Sequence, residues 1–173
     1  MTVSLERFKR VPFPAGYPSN CQTFFSPVDD VHGVLVELLK SARNSVVICM
    51  YGYDDDEIAD IIRSKMESEH LFVQLTLDKS QAGGAHEKAL LAKESYPATS
   101  IAIGHSERGA IVHLKCIVID GIYTITGSTN LSTSGETKQS NALVVISDPY
   151  VAAEARARID ATHANILSRR AGE

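Results

Sequence analysis

The chain has 173 residues, 44% of them hydrophobic and 22% charged, with a formal net charge of −4 and a pI near 5.9. This composition fits one globular domain with room for a core. Its acidity excludes a globally basic polyanion binder, so any polyanion must be met by a local patch.

No stretch approaches the roughly 18 consecutive apolar residues of a membrane helix, and the start MTVSLERFKR lacks the apolar core of a signal peptide. Cys21, Cys49 and Cys116 are odd in number and widely spaced, which suits free thiols better than a disulfide framework. The expectation is a cytoplasmic chain without stable membrane association.

Residues 1–22 combine Arg7, Lys9 and Arg10 with Pro12, Pro14 and Pro18. They predict an extended N-terminal arm, either a surface strap or a basic segment that touches a polyanion or a partner subunit. Residues 23–173 form a single domain. Phe24–Ser26 predicts a short strand, after which Asp29 and Asp30 cap a helix to about Ala42 with Val31, Val34, Leu35, Leu38 and Leu39 on its buried stripe.

Val46–Tyr51 has the continuous apolar character of a strand buried on both faces. The acids Asp54, Asp55 and Asp56 stand directly before Ile58, Ile61, Ile62 and Met66 at helical spacing. They are read as capping residues, because a hard cation needs oxygens converging from several elements. No metal is assigned. A strand follows at Leu71–Leu77, Gly83 and Gly84 open a flexible connection, and a helix spans about His86–Lys93.

Ile101–Ile103 is a further short strand, and the polar loop GHSERG delivers the chain to the most informative stretch, with Arg108 as a candidate substrate contact. Ile111–Ile119 and Ile122–Thr126 are β-branched runs around Asp120-Gly121, a pair suited to a two-residue type I′ turn. Counting back from that turn sets Lys115 opposite Thr126 and His113 opposite Ser128. Strand alternation then puts His113, Lys115, Ser128 and Asn130 on one face and leaves Asp120 in the turn. A potential nucleophile, a cation and two neutral hydrogen-bonding groups suit a phosphoryl group. After the polar segment LSTSGETKQSN come a strand at Leu143–Ile146 and a helix from Pro149 to about Leu167, with Val151, Ala155, Ile159, Thr162 and Ile166 at a rough i, i+4 spacing. Alternating strands and helices with one hairpin predict an α/β fold, a mixed β-sheet flanked by helices on both faces.

His113, Lys115, Asp120, Gly127, Ser128 and Asn130 spell H-x-K-x4-D-x6-G-S-x-N. The pattern resembles the signature of the phospholipase D superfamily, and GETKQSN after it is similar to the small bacterial endonucleases that carry one motif per chain. None of His32, His70, His86, His105 and His163 is followed by Lys two positions on, so this chain has a single motif.

The resemblance implies that 23–173 is one phospholipase D-like catalytic domain. It also implies a metal-independent phosphodiesterase without cofactors, most similar to a nuclease acting on DNA or RNA through a phosphohistidine. That chemistry takes two histidines and therefore a homodimer pairing two His113 residues. It gives Lys115 and Asn130 the non-bridging oxygens and Ser128 a supporting hydrogen bond, and it counts Asp120 among the catalytic residues, although the register turns Asp120 away from the phosphate. Asn141 stands where the small endonucleases carry a Glu that orients the imidazole, and Glu136 is a nearby substitute. A lipid phosphodiesterase and a catalytically idle nucleic-acid-binding module are the alternatives.

Overall fold

The computed structural model describes residues 3–68, 70–81 and 85–171. Among these residues seven strands form one mixed sheet: β1 (Cys21–Ser26), β2 (Ser45–Met50), β3 (Phe72–Asp78), β4 (Ile101–Gly104), β5 (Cys116–Ile119), β6 (Tyr123–Gly127) and β7 (Asn141–Ser147). Their spatial order is β1-β7-β6-β5-β2-β3-β4. Only the β2–β3 and β3–β4 pairs are parallel. The helices are α1 (Val31–Ser41), α2 (Asp56–Met66), α3 (Ala85–Glu94), α4 (Thr133–Thr137) and α5 (Pro149–Ala171). The expected Gly83-Gly84 connection lies outside the described residues.

Every residue of β2 is buried, as its unbroken apolar run requires. Alternation then divides it between two cores. Val46, Ile48 and Met50 join the residues of α1 and α2 on one face, while Val47 and Cys49 join Ala152, Ile159 and Ile166 of α5 on the other. Helices therefore cover both faces, as predicted. On α1 the buried residues are Val31, Val34, Leu35, Leu38 and Leu39, and Asp30 caps it by accepting from the Gly33 amide at 2.8 Å. α5 departs from its predicted stripe at its start: Val151 is 37% exposed and Ala152 is buried instead.

All three cysteines are free. Cys49 and Cys116 face each other across β2 and β5, and burial pushes their thiols up to about 12 and about 11, so both behave as small apolar residues.

Residues 3–20 pack on the domain as a strap. Leu5 is 1% exposed, and the Lys9 ammonium meets Asp29 at 2.7 Å. Burial alone would raise the Asp29 carboxyl, but bonds from Lys9 and from the Arg10 and Phe25 amides outweigh it and hold the group below its ordinary range.

The motif hairpin differs from its predicted register by one residue. Asp120 and Gly121 have φ of 53° and 66°, and the Ile122 amide closes the turn on the Ile119 carbonyl at 3.0 Å, consistent with the predicted turn. The ladder, however, resumes with Ile119 opposite Tyr123, so Cys116 rather than Lys115 faces Thr126. Ile122 is displaced because its carbonyl accepts from the Asp148 amide at 3.0 Å. Strand pairing also begins only at Cys116, and residues 111–115 have no regular structure.

Asp120 sits at the end of β5 opposite to His113. Its carboxylate accepts from the amides of Arg43, Asn44 and Ser45, the last two at 2.7 and 2.9 Å from Oδ1. It fastens the α1–β2 connection to the turn. Asp120→Ala therefore lowers unfolding free energy by roughly 1–3 kcal/mol in a denaturant titration, while the folded protein keeps wild-type turnover within a few-fold. A loss of turnover comparable with that of His113→Ala would assign Asp120 a direct chemical role.

Candidate active site

One edge of the sheet collects every other residue singled out by the motif. The C-terminal ends of β2, β3, β4 and β6 and the N-terminal ends of β5 and β7 meet there, as the parallel and antiparallel pairings dictate. His113 and Lys115 lie just before β5, Ser128 and Asn130 just after β6. They are not joined by strand alternation, as predicted, but through the residues that follow β2.

Tyr51 is central to this arrangement. Its ring stands edge-on to the His113 imidazole, with centroids 4.7 Å apart, and the Lys115 ammonium lies 5.1 Å from its centroid. Gln81 donates to its hydroxyl at 2.9 Å. Aromatic contacts of this kind contribute on the order of 0.5–1.5 kcal/mol and fix mutual orientation. Lys115 is 7% exposed, and its ammonium donates to the His113 carbonyl at 3.0 Å. Burial lowers its pKa from the ordinary lysine value. Upstream, Asp78 at the end of β3 accepts from the Val112 amide at 2.6 Å and anchors the backbone immediately before His113.

Gly52 and Asn130 approach closely. The Gly52 amide donates to Asn130 Oδ1 at 3.1 Å, and a Cβ on Gly52 would lie 3.1 Å from the Asn130 side chain. Gly127 has φ of +148°, and a Cβ there would collide with the Ala142 carbonyl; this accounts for glycine before Ser128. Ser128 Oγ donates to Asn141 Oδ1 at 2.9 Å and accepts from the Ala142 amide at 3.0 Å.

Asn141 Nδ2 in turn donates to the Gly135 carbonyl at 3.0 Å. Asn141 thus holds Ser128 and the chain after the motif. Arg108 is exposed in the loop between β4 and β5.

Glu136 pairs with His32 rather than with the motif residues. It lies on α4, its side chain is fully buried, and its Oε2 meets His32 Nδ1 at 2.6 Å. Burial pushes the Glu136 carboxyl up to about 8, with Asp55 and Asp54 adding to the rise and His32 opposing it. For His32, burial disfavours the charged ring, but the bonds to Glu136 and Glu57 prevail and raise its pKa. Both shifts have one sense: the pair retains a proton.

The sheet order and this constellation define a phospholipase D-like domain. Residues 35–162 match the family described as cardiolipin synthase, PLD-like domain, and the chain belongs to that phospholipase D superfamily. The chain is 27% identical over 135 residues to a phospholipase D of Rickettsia prowazekii (strain Madrid E), and 24% identical over 125 residues to a mitochondrial cardiolipin hydrolase of Chlamydomonas reinhardtii. The matches cover 78% and 72% of this chain but only 63% and 54% of those relatives, so the chain spans between half and two thirds of their length.

Among solved structures, the phospholipase D family member Nuc from Salmonella typhimurium superposes with a TM-score of 0.69 at 22% identity, covering 82% of this chain and 92% of its own. NucT from Helicobacter pylori gives 0.68 at 21%, covering 82% and 94%. At these identities the structural likeness is one of fold.

The resemblance gives Lys115 a phosphate contact, which needs the charged ammonium, and in that role its lowered pKa predicts an alkaline limit. As pH rises, Lys115 loses its proton before an ordinary lysine would, and kcat/KM falls with it. Lys115→Arg, which stays protonated, shifts that limb upward even as it lowers the plateau. An unchanged limb would assign the titration to another group.

Proposed function

We propose that the protein is a metal-independent phosphodiesterase that hydrolyses polynucleotides through a phosphohistidine in a homodimeric site. The observation that carries this reading is the joint hold of Tyr51 on His113 and Lys115, which sets a nucleophile beside a cation at an accessible sheet edge. Nε2 of one His113 attacks phosphorus, and the leaving oxygen takes a proton from His113 of the partner subunit. That second imidazole, now neutral, removes a proton from water as the water attacks the phosphohistidine. The strand end is released as a phosphomonoester and both rings are restored. Lys115 and Asn130 from each subunit receive the non-bridging oxygens and stabilise the charge that develops on them. Ser128 supports the site through Asn141 and Ala142.

Each chain contributes one such histidine, so the site is completed by a second copy across a two-fold axis. Exposed Ile111 and Leu114, 49% and 38% accessible, flank His113 and supply apolar surface for that contact.

A polynucleotide is favoured over a lipid headgroup by the distribution of charge. A cavity of about 280 Å³ is lined by Lys79, His105, Arg169 and Arg170, together with Gly104 and Ile166. It lies at the end of β4, on the edge that carries His113. Three strand spacings separate β5 from β4, roughly 14 Å, a span that an extended phosphate backbone covers and a single phosphodiester headgroup does not. This is the local patch that an acidic chain requires. The names of the relatives keep a lipid diester as the second reading.

Both readings meet in one assay: single- and double-stranded DNA, RNA and a phosphatidyl lipid incubated in excess chelator, with His113→Ala alongside. The expected outcome is nucleic-acid cleavage that survives chelation and disappears in His113→Ala. Lipid hydrolysis without nucleic-acid cleavage would transfer the assignment to the second reading, and loss of all activity with the chelator would contradict the mechanism.

A further inference from the structure

Beside the end of the motif, three separate elements bring metal-ligating side chains to one point. His32 comes from the first turn of α1, Asp55 is the N-cap of α2, and Glu136 lies on α4. One ligand atom from each lies within 4.8 Å of the others. His32 Nδ1 is 2.6 Å from Glu136 Oε2 and 3.7 Å from Asp55 Oδ2. Asp55 can cap and ligate together, since its Oδ1 accepts from the Ile58 amide at 2.9 Å while Oδ2 faces His32 and accepts only a long bond, 3.3 Å, from the Thr133 hydroxyl. The convergence from several elements that the run of three acids lacks by itself is met where His32 and Glu136 join Asp55 of that run.

Two further observations point to a cation. Glu136 Oε1 is buried and makes no hydrogen bond, although its side chain is 0% exposed; an unpaired buried carboxylate oxygen is costly. Second, His32 Nε2 lies 3.1 Å from Glu57 Oε2, and Glu57 is steadied by Lys40 at 3.3 Å from its other oxygen. An imidazole with one nitrogen facing the cluster and the other bound to an outer carboxylate has the arrangement that orients histidine ligands in metal sites. As an ion-pair cluster alone, the group sets one imidazole against three carboxylates and leaves Oε1 unsatisfied.

We infer that His32, Asp55 and Glu136 form a binding site for a divalent transition-metal ion of the zinc type, which clamps α1, α2 and α4 together beside the motif. The mixed nitrogen and oxygen donors and the three protein ligands favour such an ion over calcium, which takes 6–8 oxygens. Bonds of about 2.0–2.1 Å in a tetrahedron set ligand atoms about 3.4 Å apart. The observed 2.6 and 3.7 Å separations bracket that value, so small side-chain shifts suffice, and a water completes the coordination. The ion takes no part in the proposed phosphoryl transfer. Its place is structural, because Asp54 and Asp55 donate backbone amides to the Leu131 carbonyl at 2.9 and 3.3 Å, one residue from Asn130.

The site does not depend on the phosphodiesterase reading, and its test uses His113→Ala protein so that activity plays no part. Protein stripped with chelator and dialysed is titrated with Zn²⁺ while melting is followed, and with Co²⁺ while visible absorption is recorded. One ion per chain, a raised melting temperature and a Co²⁺ ligand-field band are expected. All three are lost in His32→Ala and Glu136→Gln, and Glu57→Gln weakens binding roughly 10- to 100-fold. Should Glu136→Gln fail to fold, His32→Ala at its half-buried position decides alone. No stoichiometric binding, or binding unchanged in His32→Ala, would show a metal-free ion-pair cluster only and overturn the assignment.

Discussion

A short backbone splice between the end of β2 and the end of the motif holds the site together. The Leu131 amide donates to the Gly52 carbonyl at 3.1 Å, the Asp54 amide returns to the Leu131 carbonyl at 2.9 Å, and Tyr53 and Leu131 form a parallel bridge. Gly52 meets the Asn130 side chain through its own amide, a closeness that a larger residue would disturb. Tyr51, one position earlier, is thereby fixed against His113 and Lys115. Two segments more than 70 residues apart in sequence become one surface, and the buried, fully paired β2 gives that surface a rigid base.

Much of this was legible from periodicity. The buried stripe of α1 and the doubly buried β2 follow from apolar spacing alone, since burial is what selects those residues. The six-residue signature likewise located His113, Lys115, Ser128 and Asn130. The register around it did not follow, because Ile122 gives its carbonyl to Asp148 and shifts the ladder by one residue, a tertiary effect with no local signal. α4 was also hidden. Five residues carry no apolar period, and its visible mark is the Ser132 side chain accepting from the Gly135 amide. Its burial of Glu136 against His32 depends on the packing of α1, which residue spacing does not encode. Tyr51 was concealed by ending an apolar strand, where an aromatic residue is unremarkable.

The charge distribution reconciles an acidic chain with an anionic substrate. Carboxylates are gathered around His32 at the starts of α1, α2 and α4, where Asp55 caps α2 and Glu57 and Glu136 bond His32, whereas Lys79, Arg169 and Arg170 line the cavity at the end of β4. Asp120, although part of the signature, is spent on the amides of residues 43–45 at the far end of β5. The signature therefore mixes residues of the proposed phosphate site with residues that shape the hairpin.

The central claim is that each chain carries half of a catalytic site and that two His113 rings work as a pair. Wild-type protein mixed with His113→Ala at constant total concentration, under conditions that allow subunit exchange, tests it most directly. If both rings are needed, activity follows the square of the wild-type fraction, and an equal mixture retains about one quarter of the rate. A linear decline, with about half the rate remaining, would show that one chain suffices and would contradict the shared site.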